Sequence, residues 1–115
     1  MKSKEHDLQA ACVKWFSLQY PQYDRMLFAI PNGGHRDIRT AARLKAEGVK
    51  RGVPDLFLSV PRWHYHGLYI EMKHGKNTLT KDQEEFFKQA SDLGYCCMDC
   101  YSVEEFIGII NGYIH

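Results

Sequence analysis

The spacing of apolar residues changes several times along this chain, and each change marks an element. Leu8, Cys12 and the Trp15-Phe16 pair recur at helical spacing. They predict a first helix, capped by Ser3 and running to about Gln19, where Tyr20-Pro21 stops it. Met26–Ile30 is a short unbroken apolar run, read as a buried strand, and Pro31-Asn32-Gly33-Gly34 is a turn. A second helix spans Ile38–Glu47, basic on its outer side, with Gly48 just past its end. Asp55–Val60 and Gly67–Lys73 are strands rich in β-branched, aromatic and large apolar residues, joined by Pro61–His66. Thr80-Lys-Asp-Gln83 has the form of a capping box, opening a third helix that ends near Leu93-Gly94. Tyr95–Asp99 is the fourth strand. Ser102-Val-Glu-Glu105 repeats the capping signature and opens a last helix to about Asn111-Gly112. The order α-β-α-β-β-α-β-α joins a β-β pair to a β-α-β crossover, which predicts an α/β fold with a mixed four-stranded sheet flanked by helices. Phe106, Ile109, Ile110 and Tyr113 form a stripe on the last helix. It serves either the monomer core or a partner subunit.

Composition narrows the class. A chain of 115 residues, 44% hydrophobic and 25% charged, fits one soluble domain over residues 1–115. Its uncharged stretches fall well short of the ~20 apolar residues of a membrane span, and the charged Met-Lys-Ser-Lys-Glu-His-Asp start lacks an apolar signal core. A cytoplasmic setting is expected. The four cysteines, Cys12, Cys96, Cys97 and Cys100, lack the spacing of a disulfide framework. Cys97 and Cys100 have the gap of a zinc or redox pair, but no second pair completes it, and buried thiols in a strand are the simpler reading.

Net charge is only +1, yet it is unevenly spread. Between His35 and Arg51 there are six bases (Arg36, Arg39, Arg43, Lys45, Lys50, Arg51) and two acids (Asp37, Glu47). From Glu84 onward there are six acids (Glu84, Glu85, Asp92, Asp99, Glu104, Glu105) and one base, Lys88. Such polarity suits a protein offering one face to a polyanion, or a solvated helix face.

The chemistry lies in Asp55, Glu71 and Lys73. In an antiparallel hairpin, paired residue numbers have a constant sum. Centring the connection near Trp63 makes that sum about 126, which sets Asp55 opposite or nearly opposite Glu71. Opposed residues on one face have Cβ atoms about 4.5–5.5 Å apart. Two carboxylates that close repel unless a cation lies between them. Lys73, two residues beyond Glu71, points to the same face. Mg²⁺ takes oxygen ligands and keeps several waters, so Asp55, Glu71 and the Met72 backbone carbonyl would leave room for water and a scissile phosphate. Lys73 would orient the attacking water and screen developing charge. The plainer alternative is a turn Asp after Pro54 with a surface Glu and Lys.

The string Gly48-Val-Lys-Arg-Gly-Val-Pro-Asp-Leu-Phe-Leu, followed by Tyr69-Ile-Glu-Met-Lys, resembles the PD-(D/E)XK nuclease superfamily, and more narrowly the VRR-NUC family. Ile30-Pro-Asn-Gly-Gly, Glu5-x-x-Leu8-Gln9 and Thr80-x-x-Gln83 are similar to further motifs of that family, over roughly residues 5 to 100. The resemblance implies that Asp55 and Glu71 are metal ligands, for Mg²⁺ or Mn²⁺, and that Lys73 is catalytic. Glu5 would reach the metal directly or through water, or else is an acid placed by the helix dipole. Gln83 would face the site from the third helix, or else serves only Thr80 in the capping box. Asn32, Gly33 and Gly34 would bring backbone close to a phosphate, and Arg36, Arg39, Arg43, Lys50 and Arg51 would contact the nucleic-acid backbone. Trp63 and Tyr65 either pack on the domain or stack on bases. The implied activity is a metal-dependent endodeoxyribonuclease on branched or flapped DNA, most simply Holliday-junction resolvase-like. Such a protein would act as a homodimer, in the nucleoid-associated cytoplasm of a bacterial or phage-infected cell. Flap cleavage and a non-catalytic nucleic-acid-binding module on the same fold are the alternatives.

Overall fold

A computed structural model describes residues 4–31 and 37–115. The helices are α1 (Lys4–Gln19), α2 (Ile38–Ala46), α3 (Lys81–Asp92) and α4 (Val103–Ile114), and the strands are β1 (Leu27–Ala29), β2 (Leu56–Leu58), β3 (Leu68–Met72) and β4 (Cys96–Cys100). They form one mixed sheet in the order β1-β2-β3-β4, antiparallel except for the parallel β3–β4 pair. The α/β architecture and its mixed sheet are those the apolar pattern predicts. Among the described residues no helix is long and apolar enough to cross a membrane.

Strand alternation assigns the two faces of the sheet. Leu56, Leu58, Leu68, Ile70, Met72 and Cys100 point to one side, where they bury against Cys12 and Phe16 of α1 and Phe106, Ile110 and Tyr113 of α4. Each such large side chain contributes about 1.5–3 kcal/mol relative to exposure. The α4 stripe is therefore used by the monomer core, with Phe106, Ile110 and Tyr113 buried in it and Ile109 partly buried against it. The other side carries Phe57, Tyr69 and Tyr95, half-buried, with Phe86 of α3 edge-on to Tyr69 at 5.0 Å.

Several sequence expectations shift. Pro21–Met26 forms a 3-10 helix, so β1 shrinks to three residues; only Leu27 is buried and Phe28 is exposed, because β1 pairs on one side alone. Helix α4 runs on through Gly112 because Tyr113 locks into the core, its hydroxyl donating to the Val60 carbonyl at 2.7 Å. The second capping box is half formed: Ser102 Oγ accepts from Glu105 N–H, but the Glu105 carboxylate turns to the Tyr101 N–H at 2.8 Å instead. Strands β2 and β3 are shorter than the sequence predicts and β4 sits one residue later, while the proposed Ser3 cap lies outside the described residues. Gly48, at φ +107°, closes α2 with bonds from Gly48 N–H to Lys45 and Val49 N–H to Leu44, a pairing that an L side chain at that φ would strain. Cys97 and Cys100, three apart on β4, point to opposite faces and cannot share a metal. Burial pushes the Cys97 thiol up to about 11.

Candidate active site

The observed pairs Leu56↔Ile70, Phe57↔Tyr69 and Leu58↔Leu68 share the register expected from the sequence. Continued by one step, that register brings Asp55 to Glu71. Asp55 stands just before β2, entered through the buried Pro54 and tied to β1 by a 2.8 Å bond from Ile30 N–H to its carbonyl. Its Oδ2 accepts the Met72 N–H at 2.9 Å. The Met72 carbonyl lies along the same edge of the strand as that N–H.

Glu71 and Lys73 are the buried charged residues among those described, 5% and 7% exposed. They sit on the α3 face with Tyr69, two residues apart each. Lys73 Nζ is 3.7 Å from Glu71 Oε2, and the same oxygen accepts from Gln83 Nε2 at 2.9 Å. Glu71 Oε1 is buried with no hydrogen-bond partner. A buried carboxylate oxygen left so costs about 1–3 kcal/mol or more, and is the kind of exception that calls for an ion or ligand. Burial, then the charge of Asp55, push the Glu71 carboxyl up to about 8, while Lys73 pulls the other way. Burial also raises Asp55, opposed chiefly by the Met72 N–H; the charge of Glu5 raises both carboxyls. The Asp55 and Glu71 carboxyls lie close enough to hydrogen-bond one another when one is protonated; two oxygen donors this close, one without any other partner, fit a hard divalent cation in that proton's place.

Glu5 is near enough to be felt electrostatically, and its Oε2 accepts a long 3.5 Å bond from Asn77 Nδ2. Among the described residues, however, no three His, Cys, Asp or Glu side chains gather as a metal cage. Gln83 does both things that its sequence context allows. Its Oε1 accepts from Thr80 N–H at 2.9 Å within a complete capping box, and its Nε2 reaches Glu71.

One link was invisible in the sequence. Gly52 has φ +80°, and a Cβ built there would lie 2.4 Å from the Asp82 carbonyl oxygen. The segment leading to Asp55 therefore rests backbone to backbone on the first turn of α3, the turn that carries Gln83. The Arg-Gly dipeptide hints at a turn but not at what it touches. Arg51 adds an exposed 4.0 Å ion pair to Asp82, worth little by itself.

The basic residues are placed very differently. Arg39 and Arg43 lie on one side of α2, a helix with no buried side chain, and Lys50 and Arg51 are exposed in the segment after it. Asn32, Gly33, Gly34 and Arg36 lie outside the described residues. Trp63 and Tyr65 pack on α4: the indole N–H donates to the Tyr113 carbonyl at 3.0 Å, and the Tyr65 ring lies 6.3 Å from that of Tyr113.

Comparison with known proteins follows the same line. The family described as the VRR-NUC domain matches residues 2–104. A solved structure named "VRR_NUC domain protein" superposes with a TM-score of 0.84 at 29% identity, covering 99% of this chain and 90% of its own. No curated protein matches. The fold is nuclease-type, consistent with a PD-(D/E)XK-like core, and the family implies a nucleic-acid substrate. Matched over nearly its whole length, the chain belongs to the VRR-NUC domain family.

Proposed function

We propose that this protein is a metal-dependent endodeoxyribonuclease that hydrolyses phosphodiester bonds in structured DNA, with a Holliday-junction resolvase-like preference for branched substrates. The observation that carries it is the buried, unpartnered Oε1 of Glu71 beside the half-buried carboxyl of Asp55 and the buried ammonium of Lys73. Asp55, Glu71 and the Met72 carbonyl would hold Mg²⁺ or Mn²⁺, with Glu5 reaching it through water. When bound, the cation supplies Lewis-acid polarisation and makes water acidic near neutral pH.

The chain's own residues do the rest. Asp55 is fixed by the Met72 N–H, so its carboxylate cannot swing away from Glu71. Lys73 Nζ, 3.7 Å from Glu71 Oε2, can donate a hydrogen bond to charge developing on phosphate oxygens, in a site where burial strengthens that interaction. The exposed bases Arg39, Arg43, Lys50 and Arg51 supply sequence-independent affinity for the phosphate backbone. A two-fold homodimer would give the paired cuts that a four-way junction needs.

The test is cleavage of a panel of junction, flap, duplex and single-stranded DNAs with Mg²⁺, Mn²⁺ or chelator. Metal-dependent cutting, strongest on the junction, is expected. Metal-dependent cutting strongest on the flap replaces the resolvase-like preference, and binding without cutting under every metal condition overturns the nuclease assignment.

A further inference from the structure

The N-terminal cap of α3 is usually a matter of helix stability, but here it shares an atom group with the site. The Thr80 N–H is a donor only, so the Gln83 carboxamide must turn its oxygen toward it. The amide nitrogen is then obliged to face Glu71, and does so at 2.9 Å. Flipping the amide would set N–H against N–H and oxygen against carboxylate. The donor occupies Oε2, which Lys73 also approaches, and leaves Oε1 as the unpartnered oxygen. The backbone of Gly52, pressed on Asp82, holds this turn of α3 against the segment that delivers Asp55.

We propose that Thr80 and Gln83 are positioning residues for a divalent cation: the Thr80 amide, acting through the Gln83 carboxamide, aims Glu71 so that Oε1 faces the ion. The inference rests on the metal site proposed above and adds to it which groups orient the ligand. Hydrogen-bonding partners of metal ligands are typically worth 10–100-fold in metal affinity.

The test is Mn²⁺ binding to the metal-free full chain without DNA, measured by calorimetry, alongside thermal unfolding. Gln83→Ala should bind Mn²⁺ about 10–100-fold more weakly than the wild type. Thr80→Pro removes the backbone N–H, and the Thr80 φ of −74° already suits a proline ring. It should lose as much Mn²⁺ affinity as Gln83→Ala, and the double variant should lose no more than either. Thr80→Ala keeps the N–H and loses only the hydroxyl cap, so it should unfold at a lower temperature yet bind Mn²⁺ almost as the wild type does. Should Thr80→Pro fail to fold, the contrast between Gln83→Ala and Thr80→Ala carries the test, since each deletes one bond of the same box. Wild-type affinity in Gln83→Ala, or equal losses in Thr80→Ala and Gln83→Ala, would overturn the inference. If that occurs while Asp55→Asn still abolishes binding, the metal site stands and only the positioning role falls. A wild-type protein that takes up no Mn²⁺ removes both.

Discussion

The end of β3 and helix α2 both concentrate charge, and they treat it in opposite ways. Glu71 and Lys73 are buried, held by β2, β4 and α3 at once; Lys73 N–H bonds the Cys100 carbonyl on one side while Asp55 takes the Met72 N–H on the other. Arg39 and Arg43 ride on a nine-residue helix that buries nothing, whose Ile38 is 90% exposed. Chemistry needs groups fixed within fractions of an ångström, which only crossed elements of a packed core provide. Backbone binding needs only positive charge within reach of phosphates, which the exposed side of α2 supplies. The same residue types are informative at one place and not at the other because burial, not identity, carries the cost.

The largest effect should come from breaking the buried end. Asp55→Ala or Glu71→Gln should reduce metal-dependent cleavage to background while DNA binding in a gel-shift assay stays near wild type. Lys73→Ala should cut single-turnover cleavage by roughly 10²–10³-fold, the scale of losing one donor to developing charge. Turnover close to wild type in any of the three would remove this end from the chemistry.

Much of this end can be read from the chain. The hairpin register placed Asp55 opposite Glu71 from residue numbers alone, because a two-fold strand period and a centred connection leave little freedom. The capping box located Gln83. What the sequence hid was depth. Nothing in Tyr69-Ile-Glu-Met-Lys distinguishes a half-exposed strand from one whose Glu and Lys are covered, since coverage comes from α3, whose first turn is brought close by Gly52. The length of β1 was hidden for a related reason: an apolar run is consistent with burial, but an edge position and the 3-10 turn before it are tertiary facts.

Next in size is the pH response of the metal-free protein. The Glu71 carboxyl is raised from 4.5 to about 8 in the fold, so the protonated form is the one the fold favours. Its contribution to stability is complete below pH 4.5, fades as pH rises, and is gone above about 8. Melting temperature in chelator should therefore fall across that window, and Glu71→Gln should flatten the fall. A wild-type melting temperature that rises between pH 5 and 8 would show that this carboxyl is not penalised as its burial requires.

The exposed region should respond on other axes. Replacing Arg39 and Arg43 together by Ala should flatten the slope of log affinity against log salt by about two, roughly one per phosphate contact, and change unfolding by no more than ~0.5 kcal/mol per site. An unchanged salt slope returns α2 to an ordinary solvated face. The smallest effect should come from Ile38→Ala, within ~0.5 kcal/mol in denaturant unfolding, against about 2–5 kcal/mol for Ile70→Ala in the core. A large loss at Ile38 would mean that α2 packs on something after all.

Whether Asp55 and Glu71 hold a catalytic cation is decided by single-turnover cleavage of a labelled four-way junction by wild type and Asp55→Asn, each with Mn²⁺ and with chelator. Asp55→Asn keeps the side chain's shape but removes the charge that, with Glu71, calls for a cation. Cutting by the wild type with Mn²⁺ alone, and by Asp55→Asn under neither condition, is the predicted result. Equal cutting by the two proteins, or wild-type cutting that persists in chelator, would contradict a metal-dependent site at Asp55 and Glu71.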